Sequence, residues 1–541
     1  MFVNRLITTF LLTGSVVFGA QTAVDSKVQG QINRGKLLYL QHCVICHQSS
    51  GRGSPGTFPP LANSDYLTKN KEGSIRAIVE GLSGQLTVNG TNYDGVMPPV
   101  LLDDAKGADV LTYVRNAFGN SAEPVSADDV REVRAKSRFP TYEKLVKAHA
   151  YPALPKAPEG TRLRELVKLP DHGTRMASDG KALYVLTGGG DVWRVEVSSG
   201  KTNQILRGKD YIDRKRGEPS ALGLTFDRDR RLYISCNQRN ENGVLVTNEV
   251  TIFRTTEMNR GEPAKPRPWF YTTYPWGIGP FNHGVSHVAF GPDGMLYVSS
   301  GSRTDGSEPG TDPRFYKGGE LTNTACLWRL NPAEEHPSLE IFCDGLRNAY
   351  GFCWNDRGEL FATDNGPDAD APEELNRLER GKHYGFPFQF SNWTNKPYAY
   401  TPDPPLGVTF TRPVANSGPA AGGNIDKPLY TFHPHSSPAG IVYLGKDYPQ
   451  PWRDSFLIVR YGHLIKKPQD HGFDLLQMRI EKQGDGYLAK TTTVLAPLGR
   501  PLDLVLGANR KVYILEYSRQ TDNKGEFGSM PGRILEFALS E

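Results

Sequence analysis

Apolar residues along this chain follow two different periods. Between residues 33 and 118 they recur at helical spacing. Residues 33–42 predict one helix, and residues 103–118, with Val110, Leu111, Val114 and Phe118, predict a second that packs back on the first. From about residue 161 the apolar runs shorten to strand length and lie between turns of Gly, Asp and Asn. There one pattern returns six times: a turn with Asp or Asn and usually Gly, then an apolar strand with an aromatic near its start. It occupies residues 179–185, 227–234, 292–298, 356–362, 452–457 and 508–514, with Tyr184, Tyr233, Tyr297, Phe361, Phe456 and Tyr513 as the aromatics. Six copies of one unit predict a six-bladed β-propeller, because radial repetition of four-stranded sheets is built from such units. A large β-sandwich would not explain a sixfold aromatic motif. The uneven spacing places long insertions between units, mainly at residues 385–430, where a propeller can build a binding face.

At 541 residues the chain is too long for one ordinary core. High Gly (57) and Pro (40) suit a turn-rich β protein. Arg5, the apolar stretch at residues 6–20 and the small polar residues after it predict an export signal over residues 1–23. No other apolar run approaches spanning length, so the mature protein is expected without a transmembrane segment, in the periplasm or secreted. A net charge of +4 on this length indicates no nucleic-acid partner. The expected domains are residues 24–120, a connector at 121–160 with Pro124, Pro140, Pro152, Pro155 and Pro158, and residues 161–541.

Cys43-Val44-Ile45-Cys46-His47 is the attachment motif for haem c. Two thiols three positions apart can add to both vinyl groups on one porphyrin edge, and His47 then offers its imidazole to the iron. Gly95-Val96-Met97-Pro98-Pro99 lies at the distance expected of the sixth ligand, where the Met97 thioether raises the haem potential. Over residues 30–120 the chain resembles a small class I monohaem cytochrome c. The other cysteines, Cys236, Cys326, Cys343 and Cys353, allow three pairings in an oxidising compartment. Cys326 opens one apparent strand and Cys343 ends the next, which favours a Cys326–Cys343 bridge across a hairpin.

Three propeller segments carry chemistry: Phe281-Asn282-His283-Gly284, Gly345-Leu346-Arg347-Asn348-Ala349-Tyr350-Gly351, and Thr363-Asp364-Asn365-Gly366-Pro367, which leads to Glu373-Glu374-Leu375-Asn376. With Gly381-Lys382-His383-Tyr384-Gly385-Phe386-Pro387, these make residues 161–540 resemble the soluble quinoprotein sugar dehydrogenases. Those are the glucose, aldose and sorbosone dehydrogenases, six-bladed propellers that bind pyrroloquinoline quinone (PQQ) and calcium. The fold class is then multidomain: an all-α cytochrome c domain followed by an all-β six-bladed propeller.

The resemblance implies a role for each residue. His283 is the general base that takes the substrate's hydroxyl proton. Arg347 and Asn348 hold the quinone, where a guanidinium fork suits paired oxygens. Gly366 and Pro367 offer backbone carbonyls to a calcium ion, a hard cation that takes oxygen ligands. Arg460 and Arg500 are further PQQ contacts, and Glu218 and Asn282 fall in the substrate pocket. The chain departs from the glucose-type pattern at Arg460, the nearest cation to an expected lysine, and at Leu502, where a second arginine is expected two residues after Arg500. His433, His435 and His463 fit either the same face or ordinary surface positions.

The implied function is a PQQ-dependent sugar dehydrogenase. It would act on a small carbohydrate, pass electrons to its own haem and hand them to an external acceptor such as a cytochrome or respiratory component. Two other classes stay open: a calcium-dependent propeller hydrolase of lactonase type, and a non-catalytic carbohydrate- or protein-binding propeller with an electron-transfer cytochrome.

Overall fold

The computed structural model describes residues 19–48, 50–53, 58–97, 99–100, 102–137, 150–256, 265–277, 282–308, 314–369, 371–391, 396–418, 430–463, 471–519 and 529–539. Residues 1–18 of the expected export segment, Pro98 and Phe281 lie outside the described residues. The chain forms two compact units, Met1–Lys144 and Leu145–Glu541. Among the described residues no helix is long and apolar enough to cross a membrane.

The first unit is helical, with α1 (Gly19–His42), α2 (Val44–His47), α3 (Asp65–Lys69), α4 (Lys71–Val79), α5 (Asp104–Asn116) and α6 (Ala127–Ala135). The helix expected at residues 103–118 is α5, started by the Asp103 side chain, which accepts a hydrogen bond from the Lys106 amide. α5 packs along α1, burying Val110, Leu111 and Val114 with Tyr39 of α1 in one core. α6 opens with a capping box between Ser126 and Asp129. The expected all-α domain also holds an antiparallel hairpin, β1 (Leu82–Val88) and β2 (Thr91–Met97), set among the helices. Its strands are mostly exposed and carry no strong alternation, so neither period marks them.

The second unit is a six-bladed propeller. Strand β3 (Arg162–Lys168) precedes the blades. Blade 1 runs β4 (Gly173–Ser178), β5 (Ala182–Thr187), β6 (Val192–Glu196) and β7 (Thr202–Leu206). Blade 2 runs β8 (Pro219–Phe226), β9 (Leu232–Asn240), β10 (Thr247–Arg254) and β11 (Arg267–Pro275). Blade 3 runs β12 (Val285–Phe290), β13 (Leu296–Ser300), β14 (Cys326–Leu330) and β15 (Glu340–Asp344). Blade 4 has β16 (Gly351–Trp354), β17 (Leu360–Asp364) and β18 (Glu374–Leu378). Blade 5 holds β19 (Ala415–Asn416), β20 (Pro438–Leu444), β21 (Ser455–Arg460), β22 (Asp474–Gln483) and β23 (Gly486–Leu495). Blade 6 has β24 (Arg500–Leu506), β25 (Lys511–Arg519) and β26 (Ser529–Ala538), and β3 completes it by pairing with β26. The start of the propeller thus closes on its end, which ties the ring without leaving a free edge there.

The six recurring segments feed β5, β9, β13, β17, β21 and β25, the second strand of each blade. All six aromatics are buried, and they fill the clefts between neighbouring blades as edge-to-face pairs such as Tyr184–Phe226 and Tyr233–Phe290. The inner strands β4, β8, β12, β16, β20 and β24 pack one on the next around the axis. There Arg175 of β4, fully buried, donates to the carbonyls of Leu222 (3.0 Å) and Tyr350 (3.1 Å) and pairs with Asp503 at 3.4 Å. Asp503 in turn accepts the Met176 amide at 2.8 Å. One guanidinium therefore ties two backbone carbonyls and one carboxylate from three other parts of the ring.

The Cys326–Cys343 bridge is not present, and Cys236, Cys326, Cys343 and Cys353 are free thiols. Cys326 stands opposite Asp344, and Cys343 stands opposite Leu327. That offset of one residue sends the two side chains to opposite faces of the sheet. Cys326 packs with Val298 and Trp328, whereas Cys343 packs with Phe352 and Leu360.

Candidate functional site

In the helical unit the chain turns from α1 into α2 at Cys43, whose amide donates to the Tyr39 carbonyl at 2.8 Å. The His47 amide returns to the Cys43 carbonyl at 3.0 Å, so Cys43, Cys46 and His47 share one turn of backbone. His47 is buried, and its Nδ1 lies 3.0 Å from the Pro59 carbonyl, to which it donates. That bond fixes the tautomer and leaves Nε2 to bind a metal. Burial lowers the imidazole's pKa, and the Pro59 bond offsets only part of this, so the ring stays neutral as a ligand must. Met97 ends β2 opposite Leu82 and packs on the same core as Cys43. The motif fits a covalent haem.

In the propeller, His283 and Arg347 meet across a single residue. The His283 amide donates to the Ser302 carbonyl at 2.9 Å, and the Ser302 amide donates to the Arg347 carbonyl at 2.6 Å. His283 Nδ1 lies 3.5 Å from Ser302 Oγ, which itself donates to the Thr304 carbonyl at 2.7 Å. Gly301 makes the approach possible. A Cβ there would stand 2.5 Å from His283 Cβ and 3.0 Å from the Gly284 carbonyl.

Arg347 is buried and points at Asp305, with Nε 2.8 Å from Oδ1, while its Nη1 donates to the Asn365 carbonyl at 3.2 Å. Asp305 Oδ2 accepts the Tyr398 hydroxyl and the Asp368 amide. The Arg347 and Asn348 amides are both held by Asp364, at 3.1 and 2.6 Å. Asp364 stands opposite Glu374 in the β17–β18 ladder, and Glu374 accepts from Asn376 and the Ser391 amide. Burial raises both carboxyls, and their mutual repulsion keeps a proton on the pair. Glu373 is pushed up to about 8 by burial, offset in part by hydrogen bonds from Ser437 and Ser436.

Gly366 and Pro367 follow directly. Among the described residues no backbone donor reaches either carbonyl. No three His, Cys, Asp or Glu side chains converge as a metal site among the described residues.

The other expected cofactor contacts lie on blades 5 and 6. Arg460 forks onto its ladder partner Asp474, at 2.9 and 2.6 Å, and its buried Nη1 has no hydrogen-bond partner among the described residues. Arg500 donates to the His463 carbonyl at 2.7 Å and lies against the rings of Tyr461 and Phe473. Glu218 is exposed and pairs with Arg214 at 3.0 Å, one residue before Pro219. Asn282 accepts the Gly277 amide through Oδ1, and its buried Nδ2 has no hydrogen-bond partner among the described residues. The histidines pair with each other: His433 stacks on His471 at 3.7 Å between ring centres, and His435 meets His463 edge-on at 4.8 Å.

An axial cavity of about 500 Å³ is lined by His172, Tyr350, Tyr461, Leu502 and Tyr517 among others. Its wall thus includes residues one or two positions from Asn348, Arg460 and Arg500. A sequence reading misses Ser302, Asp305 and Tyr398, because each acts on a partner tens of residues away. The Asp and Glu pair of β17 and β18 was visible only as part of a motif.

Residues 176–522 match the family described as "Glucose / Sorbosone dehydrogenase", and residues 32–118 match "Cytochrome c". The cytochrome c-552 of Thermus thermophilus is 38% identical over 116 residues, 20% of this chain and 88% of that protein. The quinoprotein glucose dehydrogenase B of Acinetobacter calcoaceticus is 23% identical over 238 residues, 39% of this chain and 48% of that protein. Among solved structures, the PQQ-bound form of aldose sugar dehydrogenase from Streptomyces coelicolor aligns at 19% identity and a TM-score of 0.47, over 71% of this chain and 99% of that one.

Proposed function

Because the chain belongs to the glucose and sorbosone dehydrogenase family, with a cytochrome c domain ahead of the propeller, we propose that it is a quinohaemoprotein that oxidises a sugar or sugar aldehyde. It would work in the periplasm or outside the cell, with PQQ and calcium at the propeller and haem c at the first unit. The observation that carries the reading is the convergence of His283 and Arg347 through Ser302.

Bound PQQ supplies an acceptor for hydride from a sugar carbon, calcium supplies a Lewis acid, and haem c supplies a one-electron carrier. The residues at hand suit those groups. Arg460 Nη1 is a buried donor with no acceptor among the described residues, and Asn348 is held through its backbone amide by Asp364. The Gly366 and Pro367 carbonyls suit an oxygen-seeking cation. Arg347 is held rigid by Asp305 and the Asn365 carbonyl, so its donors are pre-set.

His283 would take the hydroxyl proton as the carbon loses hydride, since a neutral imidazole accepts a proton near neutral pH. Its backbone is pinned between Gly284 and Ser302, which fixes where the ring can reach. Asn282, the residue before it, has a buried Nδ2 with no partner among the described residues and would be a donor for a substrate oxygen. Glu218, at the surface with Arg214, would meet only the outer part of a substrate. Linking both redox units in one chain raises their effective concentration, and the haem would then pass electrons to an external acceptor.

The test uses purified haem-loaded protein given calcium, PQQ and a panel of aldoses and sugar aldehydes. Haem reduction that needs both PQQ and a sugar, and is lost in His283→Ala, is the expected result. A haem that stays oxidised with every sugar overturns the reading.

A further inference from the structure

The axial cavity holds an acid–base pair that the roles above leave unused. Asp171 and His172 lie just before β4, and His172 lines the cavity wall. Asp171 Oδ1 accepts both the His172 amide at 2.7 Å and His172 Nδ1 at 2.8 Å. Nδ1 is therefore the committed nitrogen, and Nε2 is the one left to face a ligand. Gly188, on the same wall, leaves room there, because a Cβ would stand 3.3 Å from His172 Nε2. Tyr517 meets the ring edge-on at 5.8 Å between centres and limits its swing. Burial opposes the Asp171 charge, but the His172 bonds overcome this and hold its carboxyl below the ordinary range. The pair thus keeps an anion behind the imidazole.

The cavity also carries Leu502, an aliphatic group where a second cation would be expected beside Arg500. The other titratable groups on its wall are the phenols of Tyr350, Tyr461 and Tyr517, which bring no positive charge. We propose that Asp171 and His172 form an anion-binding dyad in which His172, protonated, donates through Nε2–H to a carboxylate of the bound quinone cofactor, in place of the charge that Leu502 does not supply. This rests on the function proposed above. Asp171 is the positioning residue, since it orients the ring and stabilises the imidazolium.

The test is calorimetric titration of the calcium-loaded full-length haem protein with PQQ. His172→Gln should raise Kd about tenfold or more, the weight of one charge-assisted hydrogen bond. Asp171→Asn should weaken binding in the same direction. Adding Leu502→Arg to His172→Gln should restore affinity, which separates a lost charge from a damaged fold. Equal Kd in wild type and His172→Gln overturns this inference alone. No binding of PQQ to the wild type overturns it together with the quinoprotein reading.

Discussion

Arg347 Nε lies 2.8 Å from Asp305 Oδ1, and neither side chain is more than 5% exposed. A cation buried this deeply is stable only with its partner in place. Asp305→Ala leaves the guanidinium uncompensated, and removing one member of a buried pair costs about 3–5 kcal/mol. The variant should unfold at lower temperature and lose kcat/KM together. Tyr398→Phe removes only one donor to the same carboxylate and should be much milder by thermal denaturation.

Gly301→Ala tests whether the spacing of His283 and Arg347 matters apart from their chemistry. The new Cβ would sit 2.5 Å from His283 Cβ and 3.5 Å from the Arg347 carbonyl, so the His283 loop must shift. A displacement near 1 Å at a catalytic group costs on the order of 10²-fold in rate. Steady-state kinetics should show kcat falling while the haem spectrum is unchanged. An unaltered kcat would remove His283 from the reacting centre.

The buried carboxyls of blade 4 set a pH dependence of stability. Glu373 titrates at about 8, raised chiefly by burial, and burial raises Asp364 and Glu374 as well. A carboxyl whose pKa is raised in the folded state favours folding while it is protonated. That contribution is complete below the unfolded value, about 4.4, and fades as pH rises through about 8. Denaturant midpoints of the propeller should therefore fall between pH 5 and pH 8, and Glu374→Gln, which carries no ionisable proton, should flatten part of that slope.

Much of the architecture was legible because it rests on local rules. The Asp or Asn turn followed by an aromatic strand marks β5, β9, β13, β17, β21 and β25, since each blade must turn sharply and then bury a ring against its neighbour. The helix at Asp104–Asn116 announced itself through its apolar face. What was not legible depends on distant partners. Arg347 reads as a free cation until Asp305 is placed beside it, and Arg460 until the fold sets Asp474 opposite. Cys326 and Cys343 looked bridgeable because strand ends face each other, but a one-residue offset in register reverses which face each thiol takes. The Asp171–His172 pair carries no periodic signal at all, and only the closed ring shows that it faces a cavity.

Met97, proposed as the sixth ligand of the haem, offers a test confined to the first unit. It lies at the end of a paired strand, opposite Leu82. Strand pairing holds its backbone, so the sulfur's position depends on the hairpin as well as on the prolines. His47 is fixed from the other direction by the Pro59 carbonyl at 3.0 Å. With both proposed ligands held by backbone, a change of ligand atom should alter the electronics of the iron with little change in fold. Met97→His replaces a thioether, which raises the potential, with a more basic nitrogen. The haem potential, read by spectroelectrochemical titration of the full-length protein, should fall, and haem reduction by sugar should lose driving force. A potential identical to that of the wild type would show that Met97 does not bind the iron.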